Sequence, residues 1–148
     1  MRKFKPLLET SVEIEIPFHD CDPMNVVWHG NYARYFEVAR CKLLSAYECG
    51  YDNMEKIGYV WPIIDMQTRF IGSCVFGQTI NVCAQLVEYE DRLKIAYVIT
   101  DVDTGKKLTT GVTTQVAVEM VSQSMQFTTP QPLVDRLRAA IETSSMPN

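Results

Sequence analysis

The sequence predicts an α+β domain in which one antiparallel sheet wraps around a single long helix. Three observations carry this. Apolar residues alternate over residues 11–18, the period lengthens to that of a helix from Asn31, and four more alternating runs follow between residues 60 and 120. Strands that succeed one another through short turns pair antiparallel, because a parallel neighbour needs a crossover of a dozen residues or more. A length of 148 residues fits one domain, residues 1–148, with its core over about residues 10–140.

In the first run Val12, Ile14, Ile16 and Phe18 share one face and Glu13 and Glu15 the other, which makes a half-buried strand ending near Pro17. Residues 19–31, with Pro23, Gly30 and two Asn, read as an irregular loop. Tyr32, Tyr35, Phe36, Ala39, Leu43, Ala46 and Tyr47 follow i, i+3, i+4 spacing. They predict a helix of about 18 residues capped by Asn31, ending near Cys49 with Gly50 beyond. A shorter helix fits residues 52–57.

Val60, Ile64, Met66, Thr68 and Phe70 then alternate with Asp65, Gln67 and Arg69. Ile80, Val82, Ala84 and Leu86 alternate with Thr79, Asn81 and Gln85, and Leu93, Ile95, Tyr97 and Ile99 with Arg92 and Lys94. A hairpin turn at Asp103, Thr104 and Gly105 leads to a last strand over residues 108–120, with Leu108, Val112, Val116, Val118 and Met120 on one side. A terminal helix begins around Pro130 and Pro132 and carries Leu133, Leu137 and Ile141 at i, i+4, i+8.

Lys and Arg total 14 against 18 Asp and Glu, a net charge of −4. Nucleic-acid binding usually needs a basic excess, so no nucleic-acid partner is expected. Apolar runs stay far below the roughly 20 residues that span a bilayer. No apolar stretch follows the basic start, so neither a membrane span nor a signal peptide is expected, and the expected compartment is the cytoplasm. The five cysteines, Cys21, Cys41, Cys49, Cys74 and Cys83, are odd in number and lack C-x-x-C spacing. With His19 and His29 as the only histidines, they form no zinc-type pattern, so no metal is expected. Packed thiols are the simpler account of these cysteines than a nucleophile.

The loop before the long helix is where chemistry concentrates. It holds Asp20, Asp22, both histidines and Trp28, and it runs straight into a helix N-terminus. Such an end has unpaired N–H groups and a positive dipole, so it can polarise a carbonyl. A carboxylate just upstream could attack that carbonyl carbon or activate water against it. Asp-x-Asp before a helix is also ordinary turn and cap chemistry.

Residues 20–40, DCDPMNVVWHGNYARYFEVAR, resemble the signature of the 4-hydroxybenzoyl-CoA thioesterase-like family of acyl-CoA thioesterases. The resemblance implies a hotdog fold, a five-stranded antiparallel sheet wrapped around a long central helix, and the order of elements matches over roughly residues 10 to 140. It implies that Asp22 is the catalytic carboxylate, as nucleophile or general base. The backbone at His29, with Gly30 beside it, would hold the carbonyl oxygen, and the His29 side chain would shape the site. Trp28, Asn31 and Tyr32 would contact substrate, with an acyl pocket near Trp28, Tyr32 and the 60–66 strand. Arg92 and Lys94, on the outer face of one strand, would meet the CoA phosphates, often across a subunit boundary; Arg69 and Lys106 are further candidates. Glu37 is an alternative acid on the helix, but pairing with Arg34 or Arg40 is the simpler account of it, and Asp22 is much the better candidate.

The implied substrate is an acyl-CoA or acyl-carrier-protein thioester, with no cofactor beyond the CoA of the substrate. A homodimer or homotetramer is expected. A hotdog dehydratase or hydratase and a non-catalytic acyl-CoA or carrier-protein binder are the alternatives. The Pro-Ala-Arg run common after the family's second strand is replaced here by Gly72, Ser73, Cys74, Val75, Phe76, Gly77 and Gln78. That segment is expected to lie away from the Asp-x-Asp loop and to affect substrate shape and subunit contact.

Overall fold

In the computed structural model, which describes residues 5–145, the alternating runs form strands β1 (Leu8–Glu15), β2 (Tyr59–Val60), β3 (Ile63–Phe70), β4 (Thr79–Glu88), β5 (Leu93–Asp101), β6 (Lys107–Gln115) and β7 (Val118–Glu119). The helices are α1 (Tyr32–Ser45), α2 (Tyr51–Lys56) and α3 (Gln131–Ser144). Five strands pair antiparallel in the order β1-β4-β5-β6-β3, and β2 pairs with β7 as a separate ribbon. With α1 against the apolar face of this sheet, the fold is the hotdog fold that the sequence led us to expect.

The packing follows from side-chain size. Phe36, Ala39 and Leu43 on α1 and Ile80, Val82, Ala84, Leu86, Ile95 and Ile99 on the sheet are buried. Burying an aliphatic or aromatic side chain of this kind contributes roughly 1.5–3 kcal/mol. The Phe36 ring stacks on Tyr97 with centroids 4.4 Å apart. It also lies over Gly111 so closely that a Cβ there would fall 2.6 Å from two ring carbons. Tyr97 Oη and Thr113 Oγ1 are 2.7 Å apart, and Arg40 donates to Tyr97 Oη at 3.2 Å and to Tyr51 Oη at 3.0 Å.

Three sequence expectations change. First, α1 stops at Ser45, short of Cys49. Glu48, not Gly50, takes the left-handed conformation (φ 57°), and the N–H groups of Cys49 and Glu48 close back on Leu44 O and Ser45 O in a Schellman-type end. Gly50 instead begins α2.

Second, the last strand breaks after Gln115, and its other face is the inner one. Thr109, Gly111, Thr113 and Gln115 are buried, whereas Val112 is half-buried on the outer side. Of the expected apolar set Leu108, beside an irregularity in the pairing with β5, and Val116, beyond the strand, are buried as well. The narrow space under Phe36 and the hydroxyl partner for Tyr97 select small and polar residues there. Third, β3 is exposed on both faces, including Ile63, Ile64, Met66 and Phe70. It is an edge strand, and Val60 belongs to β2 because Trp61 and Pro62 interrupt the run.

Candidate active site

The Asp-x-Asp loop folds by turn chemistry. Asn25 N–H donates to Asp22 O, and Asp22 N–H donates to Val26 O, both at 2.9 Å. Pro23 follows the first residue of this tight turn, and Asn25 takes the left-handed conformation (φ 64°) that such a hairpin needs. One Asp22 carboxylate oxygen, Oδ1, accepts Met24 N–H at 2.8 Å. The turn thus fixes Asp22 at its first position while leaving Oδ2 unengaged among the described residues.

Asp20 has a different task. Its carboxylate is buried and takes Arg34 Nη2 at 2.5 Å and Tyr35 Oη at 2.6 Å, while its carbonyl accepts Trp28 N–H at 3.0 Å and Asn31 Nδ2 at 2.9 Å. Burial alone would raise its pKa, but the bonds from Tyr35 and Arg34 outweigh burial and hold the carboxyl below its usual range. Reciprocally, burial and the Asp20 charge push the Tyr35 phenol well above its ordinary range. Asp20 therefore locks the loop onto α1.

The helical run begins earlier than Asn31. Trp28 is the last extended residue (ψ 133°), and residues 29–31 form a 3-10 turn leading into α1. Asn31 makes no side-chain cap. Among the described residues, the N–H groups of His29 and Gly30 meet no hydrogen-bond acceptor, as expected at a helical start. A Cβ on Gly30 would overlap the Trp28 ring, so this turn is built for glycine.

Two grooves meet at Asp22. One, of about 700 Å³, is lined by Phe18, Cys21, Pro23, Asn25, Val75 and Phe76 besides Asp22. The other, of about 330 Å³, carries His29, Tyr32, Phe70, Ile71, Gly72 and Ser73 among its walls. Asp22, His29 and Tyr32 are thus brought together. Trp28 and Asn31 line neither groove: Trp28 packs over Gly30 and Asn31 bonds to Asp20. The wall expected from residues 60–66 is supplied instead by Phe70 and Ile71.

Arg92 and Lys94 stand at the start of β5, whereas Asp22 lies near its other end, where Asp101 meets Gln78. Eight residue steps of strand separate the two ends, about 26 Å. Arg92 is paired with Glu88 at 3.3 Å. Within one chain these cations are not part of the site. Glu37 also lies outside the grooves, facing Arg40 at 3.5 Å and Tyr51 Oη at 3.3 Å. His19 approaches Asp20 at 3.8 Å, and Cys21 Sγ faces Pro17 O at 3.9 Å, so these two do not form a thiol–imidazole pair. Among the described residues no three His, Cys, Asp or Glu side chains gather as metal ligands.

The segment from Gly72 to Gln78 does not lie away from the loop. Val27 N–H donates to Cys74 O at 2.8 Å, and Val26 and Val75 form an antiparallel bridge. Sequence reasoning missed Val75 and Phe76 as groove walls for this reason, and Phe18 because it leaves the expected buried strand face for an exposed 3-10 turn at residues 18–20. The only local signal was the Gly72, Ser73 and Gly77 cluster, which marks an irregular connection without saying what it touches.

The sequence pattern of the thioesterase-like superfamily matches residues 16–147. The chain belongs to that superfamily. Among curated relatives, sll0410 of Synechocystis, named as a candidate esterase, is 28% identical over 109 residues, covering 73% of this chain and 66% of that protein. YneP of Bacillus subtilis, named as a candidate acyl-CoA thioesterase, is 31% identical over 77 residues, 52% of this chain and 56% of that protein. The chain thus spans less than two thirds of either relative. Among solved structures, the Thermus thermophilus protein TT1821 superposes with a TM-score of 0.78 at 25% identity, covering 87% of this chain and 97% of that one. The DHNA-CoA thioesterase of Staphylococcus aureus gives 0.77 at 24%, over 94% and 97%, a likeness of fold.

Proposed function

We propose that this protein hydrolyses acyl-CoA thioesters, with Asp22 as the reacting carboxylate and the His29 backbone N–H, beside Gly30, as oxyanion donor. One observation carries this reading: Asp22 and His29 line the same groove, and the free N–H groups at the helical start lie next to it. In the reaction water adds to the carbonyl carbon and the C–S bond breaks. The acyl group leaves as a carboxylic acid, and the sulfur takes the proton that water loses through Asp22. That is the route with Asp22 as base. With Asp22 as nucleophile its oxygen adds first, and the C–S bond breaks to give an acyl-aspartyl anhydride and thiolate. Water then hydrolyses the anhydride and yields its proton to the thiolate, so both routes place an oxyanion at the same donor and give the same products.

A thioester carbonyl is activated enough that positioning, one carboxylate and one donor supply the chemistry, so the proposed reaction uses no metal or redox cofactor. Superfamily membership and the name of YneP support thioester chemistry. A carrier-protein thioester would use the same groove and is the second substrate for the test. No helix among the described residues is long and apolar enough to cross a membrane, which fits a substrate met in water.

The proposal extends to assembly. The edge strand β1 presents Glu9, Glu13 and Glu15, charges that discourage pairing, whereas β3 at the opposite edge exposes Ile63, Ile64, Met66 and Phe70. A second copy of the chain on β3 would cover this apolar edge, and Arg92 and Lys94 would then serve the partner's site.

The test is thiol release from short, medium, long and aromatic acyl-CoAs and from an acyl-carrier-protein thioester, with a protein-only blank for the five cysteines. Turnover of at least one thioester is the expected result. Intact thioesters across the panel, with CoA still bound, would replace the enzyme by a binding module.

A further inference from the structure

Asp22 is the one residue common to both grooves among the described residues. A thioester has two arms at its carbonyl carbon, the acyl group and the thiol carrier. A carboxylate acting on that carbon must sit where the arms diverge. Resting on the hydrolase reading above, we propose that the groove of Phe18, Val75 and Phe76 receives the acyl arm. The groove of Tyr32, Gly72 and Ser73 then receives the pantetheine arm of CoA, with Lys106 as the first cation along it.

The walls differ in the way the two arms differ. Phe18 and Phe76 meet edge to face, centroids 5.7 Å apart, yet remain 73% and 61% exposed. With Val75 and Pro23 they make an apolar wall beside Asp22, suited to an alkyl chain or an aromatic ring. The second groove mixes apolar walls with the polar residues His29, Tyr32 and Ser73. Pantetheine carries two amides and ends in phosphate, so it needs such partners.

Gly72 leaves this groove open. A Cβ there would fall 3.1 Å from Leu108 Cδ2 and 3.8 Å from Lys106 Nζ. Lys106 therefore hangs over the bare backbone of the groove wall. It has no carboxylate within ion-pair distance among the described residues. Within the chain this places Lys106, rather than Arg92 or Lys94, beside the path from Asp22 to a phosphate.

Calorimetric titration of free CoA and of S-octyl-CoA, a thioether that cannot be hydrolysed, tests the assignment without depending on turnover. Wild type is expected to bind S-octyl-CoA more tightly than CoA. Phe76→Ala and Phe18→Ala should each cut that advantage by roughly five- to tenfold and leave CoA affinity unchanged, which also shows that they fold. Lys106→Ala should weaken both ligands by one common factor that shrinks as salt rises.

The assignment is overturned if the phenylalanine variants lose CoA affinity itself or keep the full octyl advantage. It is equally overturned if Lys106→Ala leaves both ligands unchanged, or if wild type binds neither. The predicted binding shifts without any thioester turnover would uphold the two arms and remove the hydrolase reading instead.

Discussion

Asp20 and Asp22 are two residues apart and do opposite work because their surroundings differ. Asp20 is buried against Tyr35 and Arg34, whereas Asp22 sits at the first position of a turn between two grooves. Asp20→Asn removes the charge that satisfies Arg34 and should cost roughly 2–4 kcal/mol in denaturant unfolding. The pH dependence follows from the same bonds. The folded carboxyl lies below the ordinary value of 3.8, so its stabilisation is present above that pH and is lost as acid carries the pH down through the folded value. Denaturant midpoints followed from neutral pH to pH 3 should therefore fall more steeply for wild type than for Asp20→Asn. His29 separates backbone from side chain: His29→Ala keeps the N–H and should lose no more than about tenfold in kcat/KM, whereas Asp22→Asn should lose at least about a hundredfold. A larger loss for His29→Ala than for Asp22→Asn would assign the chemistry to the imidazole.

At the scale of elements, Phe36 of α1 approaches the backbone of β6 at Gly111 so closely that no side chain fits between them. Gly111→Ala drives a methyl toward Phe36, itself pinned on Tyr97, so it should destabilise by roughly 1–3 kcal/mol, read as a lower melting temperature. The same contact explains where the sequence misleads. The 3.6-residue period of α1 and the alternation in β1, β4 and β5 are legible because their buried faces are apolar. In β6 the alternation does not mark the inner face: Val112 lies outward, while Gly111 fits beneath Phe36, Thr113 meets Tyr97 and Gln115 donates to Trp61 O. The Asp-x-Asp turn was legible from Pro23 and Asn25, and the helix start was misplaced only by the 3-10 turn at residues 29–31. The opposing wall was not legible. The bridge between Val26 and Val75 joins residues far apart in sequence, and no local pattern in Val75 or Phe76 names the partner.

At the scale of the molecule, the sheet has an apolar edge at β3 and a charged edge at β1, so the proposed pairing of copies belongs at β3. Light scattering after size exclusion should give a dimer or a tetramer for wild type. Met66→Lys, on exposed β3, should shift it toward monomer with little change in secondary structure, and a wild-type monomer would remove β3 as an interface. The grooves and the turned loop converge on Asp22. The decisive measurement is acyl-CoA hydrolysis by Asp22→Asn beside wild type, with melting temperatures taken on both samples. Asp22 as the reacting carboxylate requires turnover by wild type and its near-complete loss in the variant, at an unchanged melting temperature. Full activity in a folded Asp22→Asn protein would contradict it.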